Sequence, residues 1–104
     1  MRRGEIWLAD LPDRGAHPVV LISRDGSYEH RRRATVAIVT TTRRGIPVEV
    51  PVGTEGGLDH ESVVTVDDLF TLRLSQLIER RGALRPSQVA SLDAALHFAL
   101  GLRD

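Results

Sequence analysis

Residues 34–52, ATVAIVTTTRRGIPVEVPV, contain two strand patterns joined by a short polar link. The first, from Ala34 to Thr42, is rich in β-branched residues, which favour an extended chain. In the second, residues 46–52, an isoleucine and three valines alternate with two prolines and a glutamate, as in a strand that buries one face. Because proline cannot donate a ladder hydrogen bond, this strand is predicted at a sheet edge or a barrel rim. The link Arg43-Arg44-Gly45 predicts a hairpin between the two strands.

Strand patterns also flank this stretch on both sides. Two short strands are predicted before it, at Glu5–Asp10 and Pro18–Ser23, and a fifth strand is predicted after it, from Ser62 to about Asp67. The adjacent carboxylates Asp67 and Asp68 suit a turn or cap at the end of that strand, and an acid–base pair is the alternative.

The last third of the chain changes from strand to helix. Leu74–Ile78 predicts one short helical turn, Arg80–Leu84 a last short strand, and residues 86–100 a helix that begins at Pro86. Its apolar stripe comprises Val89, Leu92, Leu96 and Leu100. The predicted fold class is α+β but mainly β: a small twisted sheet that closes into a barrel, with a short helix and a C-terminal helix.

Composition limits the possible functions. The 104 residues predict a single domain, residues 1–104, and 41% of them are apolar. The absence of cysteine excludes disulfides and cysteine-based zinc sites, and the four histidines have no metal-ligand spacing, so we expect no metal and no cofactor. No apolar run reaches the roughly 18 residues of a membrane span, and none near Met1 is typical of a signal segment. We therefore expect a cytoplasmic protein without membrane association.

Charge is unevenly distributed although the net charge is zero. The first 44 residues contain nine basic and five acidic residues, and the remainder contains five basic and nine acidic residues. All 14 basic residues are arginine, whose guanidinium suits bidentate contact with phosphate. The first half can therefore collect phosphate on one face, while the codon bias of a GC-rich genome is another explanation for the missing lysine.

Five blocks of the sequence occur in the order typical of MazF/PemK toxins. They are RGEIWLADL at 3–11, HPVVLIS at 17–23, VTTTRRGIPVEV at 39–50, the segment from Gly57 to Asp67, and LRP at 84–86 followed by LDAAL at 92–96. The chain resembles this family over nearly its whole length. The resemblance implies the SH3-like small barrel of CcdB, MazF and Kid toxins, a homodimer, and neutralisation by a cognate antitoxin protein. It also implies a sequence-selective, metal-independent endoribonuclease that cleaves single-stranded RNA or mRNA to a 2′,3′-cyclic phosphate and a 5′-hydroxyl.

The resemblance also implies catalytic residues. Cleavage through the 2′-hydroxyl needs a base, an acid and donors to the phosphoryl oxygens. The family's active-site threonine corresponds to Thr40, whose hydroxyl can donate to such an oxygen. His17 replaces the family's phosphate-binding arginine, and the family's loop glutamate has no counterpart in residues 12–16. His17 is therefore an acid or base, a weaker phosphate contact, or the mark of an attenuated enzyme. Arg14 is either a substitute cation or a solvated loop residue.

Several residues are predicted to bind RNA. Thr41, Arg43 and Arg44 follow Thr40 and are placed in the same groove. The polar segment 24–33 either grips the RNA backbone and stacks a base on its aromatic residue, or is an ordinary solvated hairpin loop. Its candidate RNA-binding residues are Arg24, Tyr28, Arg31, Arg32 and Arg33.

Two alternatives to an active nuclease use the same barrel. One is a non-catalytic toxin that acts by protein contact, as gyrase-poisoning toxins do. The other is a degenerate paralogue that keeps only antitoxin or RNA binding, for which His17 is the main support.

Overall fold

The computed structural model describes residues 1–102 and places six strands in one antiparallel sheet. The strands are β1 (Glu5–Leu11), β2 (Gly15–Leu21), β3 (Arg33–Thr40), β4 (Glu49–Val52), β5 (Ser62–Arg73) and β6 (Leu77–Ala83). A one-turn helix, α1 (Tyr28–Arg31), precedes β3, and α2 (Pro86–Ala99) follows β6. The order across the sheet is β4-β5-β3-β2-β1-β6. The predicted mainly β class with a C-terminal helix is confirmed. The short helical turn predicted at 74–78 is a 3₁₀ turn, Leu74–Gln76, whereas α1 lies in a segment that was predicted to be a polar loop.

The predicted hairpin between β3 and β4 is wrong. β5 lies between these strands and pairs with both, so that Thr40 and Pro51 are each opposite Val63. Residues 41–48 are therefore a connection between two strands that run in the same direction. The Glu49 carboxylate shapes this connection by accepting hydrogen bonds from the backbone N–H groups of Arg44 and Gly45, at 3.0 and 2.9 Å. β4 is shorter than the predicted strand 46–52 and lies at an edge of the sheet, as Pro51 requires, while Pro47 belongs to the connection.

A large bulge bends β5, which continues to Arg73 instead of ending near Asp67 as predicted. Ala37 of β3 pairs with Leu69 whereas the next residue, Ile38, pairs with Thr65. Residues 66–68 of β5 therefore have no partner in β3, and such a bulge bends a strand and increases its twist. Asp67 and Asp68 lie on this bulge and not at a strand end.

The curled sheet has a hydrophobic cluster on each face. The first packs against α2 through Leu92 and Leu96, as the predicted stripe requires, whereas Leu100 lies just beyond the helix and is 57% exposed. The second surrounds Tyr28 beneath α1. Burial of each large aliphatic side chain contributes about 1.5–3 kcal/mol. The first cluster also contains Ile6, Val20, Val39, Val50 and Val64, and the second contains Val19, Leu21, Val36, Ile38 and Leu72.

Two contacts cover the edges of the sheet, which would otherwise present unpaired backbone groups. A single 3₁₀ turn, Thr54–Gly56, packs on β6 at the far edge of the sheet from β4. At β4 itself, the side-chain amide of Gln88 in α2 donates to the Pro51 carbonyl at 3.2 Å. The sheet therefore closes toward a barrel through a turn and a helix. No helix within residues 1–102 has the length and apolar character needed to cross a membrane.

Candidate active site

Two cavities flank the end of β3. The first cavity, of about 380 Å³, is bounded by β1, β2, the end of β3, the loop at 57–61 and β6. The second cavity, of about 340 Å³, is bounded by the β1–β2 turn, the end of β3, the connection 41–48 and the β5 bulge. Both volumes are within the roughly 300–1,000 Å³ of small-molecule sites. The polar residues of the first cavity include His17, Thr40, Thr41, Asp59, His60 and Arg81, and those of the second include Arg14, Thr40, Thr42, Arg44, Asp67 and Asp68.

The tight β1–β2 turn sends Arg14 and His17 to different cavities. Leu11 pairs with Gly15, so β2 begins three residues earlier than predicted, and only residues 12–14 form the turn. Asp13 adopts a left-handed conformation, with φ of 65°, to make this turn. Arg14 lines the second cavity and His17 lines the first. Among residues 1–102 only Thr40 lines both, so the three predicted catalytic residues do not share one cleft.

The hydrogen bond of His17 determines which ring nitrogen carries the proton. Its Nε2 lies 2.7 Å from the backbone carbonyl oxygen of Val39. A carbonyl oxygen only accepts hydrogen bonds, so Nε2 must donate, and the lone pair of the neutral ring is on Nδ1. Within residues 1–102 no second hydrogen bond occupies the ring. His17 is thus prepared to accept a proton, as a general base must.

Thr40 is half-buried at the boundary between the two cavities and does not face the hydrophobic interior. Its Oγ1 accepts a hydrogen bond from the backbone N–H of Thr42 at 3.2 Å. A hydroxyl has one proton and two acceptor sites. The proton of Thr40 therefore remains available for a phosphoryl oxygen in either cavity.

Three of the predicted RNA-binding residues lie beside Thr40. Thr41 lines the first cavity and Arg44 the second. Arg43 lines a third, shallower depression of about 260 Å³ next to Gly45. These residues adjoin Thr40 but line three different depressions, and their contact with RNA stays a prediction.

The arginines at 24 and 31–33, which were predicted to bind RNA, are remote from Thr40. Arg31 ends α1 and Arg33 begins β3, whereas Thr40 is the last residue of β3. Seven residue steps at about 3.3 Å separate the two ends by roughly 23 Å. The C-terminal end of β2 pairs with the middle of β3. Arg24 follows that end of β2, where the chain leads away from Thr40. These arginines are exposed but belong to the opposite end of the sheet.

Base stacking on Tyr28 is also excluded, because its side chain is fully buried in the second hydrophobic cluster. The phenol donates a hydrogen bond to the Ser23 carbonyl at 2.6 Å. Burial, together with the nearby Asp25 carboxylate, raises the pKa of Tyr28 to about 12. Tyr28 fixes α1 to the core, so the sequence prediction for this residue is wrong.

One wall of the first cavity was not predicted from the sequence. The loop at 57–61 contributes Asp59 and His60, and β6 contributes Arg81. A pair of glycine contacts holds this loop on β6. A Cβ atom at Gly57 would overlap the Arg81 carbonyl oxygen, and one at Gly82 would overlap the Gly56 carbonyl oxygen. The glycines were the available signal, because glycine permits such close backbone approach.

Comparisons with known proteins agree with this architecture. A probable endoribonuclease of Mycobacterium tuberculosis, MazF5, is 36% identical over 101 residues, which cover 94% of this chain and 91% of that protein. Endoribonuclease MazF3 of the same organism is 38% identical over 87 residues, 84% of each chain. The Mycobacterium tuberculosis toxin MazF-mt6 superposes with a TM-score of 0.90 at 36% identity, covering 96% of this chain and 99% of its own.

A mycobacterial endoribonuclease in complex with its cognate antitoxin has a TM-score of 0.91 at 31% identity, with coverage of 100% of this chain and 98% of that one. Residues 2–100 match the family described as the PemK-like, MazF-like toxin of type II toxin-antitoxin systems. With relatives above 30% identity along most of its length and a family match over residues 2–100, the chain belongs to the PemK/MazF toxin family.

Proposed function

We propose that this protein is a toxin that cleaves single-stranded RNA without a metal, by attack of the ribose 2′-hydroxyl on the adjacent phosphodiester. One observation carries the proposal: Thr40, at the position of the family's active-site threonine, lies half-buried between two polar cavities, one of which it shares with His17. The relatives MazF5 and MazF3, named as endoribonucleases, support it.

The proposed reaction uses His17 as the base. Nδ1 of His17 takes the 2′ proton while Nε2–H stays on the Val39 carbonyl, which also stabilises the imidazolium that forms. The 2′-oxygen bonds to phosphorus and the bond to the 5′-oxygen breaks, which gives a 2′,3′-cyclic phosphate and a 5′-hydroxyl. The Thr40 hydroxyl donates to a phosphoryl oxygen as negative charge develops. DNA is not a substrate, because it lacks the nucleophile.

The second cavity suits the nucleotide next to the scissile linkage. Arg14 and Arg44 provide cations there, beside the acidic groups of Asp67 and Asp68. Carboxylates accept hydrogen bonds from amino groups on base edges, so this mixed lining favours particular bases over uniform backbone binding. Thr41 and Arg43 extend the contact on either side. This arrangement supports sequence-selective cleavage.

Family membership also supports the proposed partners. We propose that a cognate antitoxin neutralises the toxin by laying an acidic segment over the arginines near Thr40, and that the toxin is a cytoplasmic homodimer. Contacts between exposed opposite charges weaken with salt. Measurement of the complex at increasing ionic strength tests the electrostatic part, and affinity independent of salt would contradict it. Sedimentation of the free toxin tests the dimer.

A non-catalytic or attenuated toxin is the alternative, and the relatives named as endoribonucleases do not favour it. The test is incubation of the purified protein with a mixed pool of synthetic RNA in EDTA, followed by mapping of the ends. We expect defined cleavage sites, and loss of cleavage in Thr40→Ala. The matched control is Thr35→Ala near the other end of β3, where the Thr35 hydroxyl forms a hydrogen bond with that of Thr71 at 3.1 Å.

A single 2′-deoxy substitution at the mapped site completes this experiment. It should block cleavage there and leave other sites unaffected, because only that nucleophile is removed. Absence of cleavage in any RNA, or cleavage that persists in the 2′-deoxy substrate, would overturn the proposal.

A further inference from the structure

We infer that the loop at 57–61 and β6 complete the first cavity as a catalytic site, with His60 as the general acid and Arg81 as the phosphate-binding cation. This inference rests on the proposed ribonuclease function and deepens it. Neither residue was predicted from the sequence to have a function.

The backbone contacts make His60 and Arg81 part of one structural unit. The 3₁₀ turn and Gly57, whose φ is 88°, bring the loop directly onto the backbone of β6 at Arg81 and Gly82. The far end of the loop is fixed as well, since the Ser62 hydroxyl donates to the His60 carbonyl at 2.9 Å. The loop therefore holds His60 on the same cavity as His17, but from a separate wall.

Two imidazoles on separate walls match the geometry of the reaction. In an in-line displacement the attacking and leaving oxygens lie on opposite sides of phosphorus, so the base and the acid must approach from different directions. His17 takes the proton from the 2′-oxygen, and protonated His60 gives one to the 5′-oxygen as its bond to phosphorus breaks. One proton is taken up and one released, so the step needs no co-reactant. The other titratable groups lining the cavity are Asp59 and Arg81.

Arg81 supplies the permanent charge that His17 cannot provide. Its guanidinium forms an ion pair with Glu79 at 3.3 Å, with side-chain exposures of 36% and 58%. Pairs this exposed contribute little to stability, so a phosphate can compete for the guanidinium. Arginine also binds phosphate through two parallel N–H donors. The cation of this site thus comes from β6 and not from the strand where the family has its arginine.

The test of His60 uses two substrates that differ in one atom. On ordinary RNA, His60→Gln should lower kcat at least about 10²-fold, the usual contribution of an acid. On the same RNA with sulfur in place of the bridging 5′-oxygen, the leaving thiolate needs no proton, so the variant should recover nearly the wild-type rate. His17→Gln should be impaired on both substrates, because the base is needed for each. His30→Gln, an exposed histidine of α1, is the matched control and should equal wild type.

The pH dependence gives a second measure of His60. A base that must be neutral and an acid that must be protonated give a bell-shaped profile of kcat/KM, and His60→Gln should lose the alkaline limb. Equal loss on oxygen and sulfur substrates, or no loss on either, would overturn the role of His60. If the wild-type protein cleaves no RNA, the proposed ribonuclease function itself fails. That outcome differs from a failure of the role of His60, in which the wild-type protein is active.

The test of Arg81 separates the effect of its positive charge from that of its bidentate guanidinium fork. Arg81→Gln should lower kcat/KM about 10²-fold, in the range for loss of one transition-state donor. Arg81→Lys should recover part of the loss, because it restores the charge without the bidentate fork. Arg73→Gln, on the exposed end of β5 remote from the cavity, should cleave as wild type. Equal rates for the Arg81 and Arg73 variants would overturn the assignment of Arg81.

Discussion

Replacement of Gly82 by alanine tests whether the glycine contact between the loop and β6 positions the first cavity. The added Cβ would overlap the carbonyl oxygen of Gly56 and would lie 3.4 Å from the Gly57 nitrogen. Both neighbours are backbone atoms, so no side-chain rotation can relieve the overlap. The loop and β6 must separate, and they carry His60 and Arg81 with them.

The size of the effect follows from this overlap. Overpacking costs about 1–3 kcal/mol, and the upper half of this range applies because backbone must move. In a domain of this size each kcal/mol lowers Tm by about 4–8 °C, so Gly82→Ala should melt at least about 10 °C below wild type. Cleavage measured well below that temperature should fall about 10²-fold, as for a misplacement of about 1 Å in a catalytic group.

Gly26→Ala separates loss of stability from loss of positioning. Gly26 has φ of 83° and no heavy atom within 4 Å of an added Cβ, so alanine there introduces only left-handed strain of about 1–2 kcal/mol. Its Tm should fall while its cleavage rate at low temperature stays at the wild-type value. Thermal melts and single-turnover cleavage of both variants provide the comparison. A Gly82→Ala protein with wild-type stability and wild-type cleavage would refute the reasoning.

Three further predictions concern His17 and Tyr28. His17→Arg should lower kcat/KM for RNA cleavage about 10²–10⁴-fold, since arginine cannot act as the base; a gain in cleavage would show that histidine impairs the site. Tyr28→Phe should lower the free energy of unfolding by about 1–3 kcal/mol, because it leaves the Ser23 carbonyl unsatisfied, while RNA affinity measured by fluorescence anisotropy stays unchanged. The pKa of Tyr28 is raised from 10.0 to about 12, so its contribution to stability is complete below about pH 10 and is lost as pH rises through 12. Because the chain has one tyrosine and neither cysteine nor lysine, denaturant titrations at several pH values should show this loss in wild type and not in Tyr28→Phe.

Much of the fold could be predicted because its signals are local. Alternation over residues 46–52 and the two prolines identified an edge strand, and Pro86 identified the start of α2. The insertion of β5 between β3 and β4 could not be predicted in the same way. Gly45 is a local turn signal, whereas strand order depends on which surfaces of distant strands pack together. The β5 bulge, which extends the strand past Asp67, likewise depends on its pairing with β3.

The family resemblance supplied the positions of site residues along the chain. The arrangement of these residues in space depends on the folded geometry and could not be predicted. Thr41, Arg43 and Arg44 adjoin Thr40 along the chain, but the structure distributes them over three depressions. Arg14 and His17 were assigned to one cleft because they are three residues apart, but the tight turn directs them to separate cavities. The role of Tyr28 was wrongly predicted because its neighbours in the sequence are polar, although its ring packs in the core. The arginines at 31–33 are not part of the site around Thr40, because the length of β3 separates them from it.

The location of the proposed cation, Arg81, on β6 explains how His17 can replace the family's arginine. An arginine there provides permanent charge but cannot exchange protons near neutral pH, whereas a histidine can exchange protons but holds phosphate weakly. On the proposed assignment the chain divides these tasks: His17, oriented by the Val39 carbonyl, moves the proton, and Arg81 on β6 holds the charge. That division works only if the loop at 57–61 stays against β6, which pairing with β1 holds in the sheet. Keeping the loop there is the role of the Gly56–Gly57 contact with Arg81 and Gly82. The glycines are therefore as necessary to the chemistry as the residues that carry it.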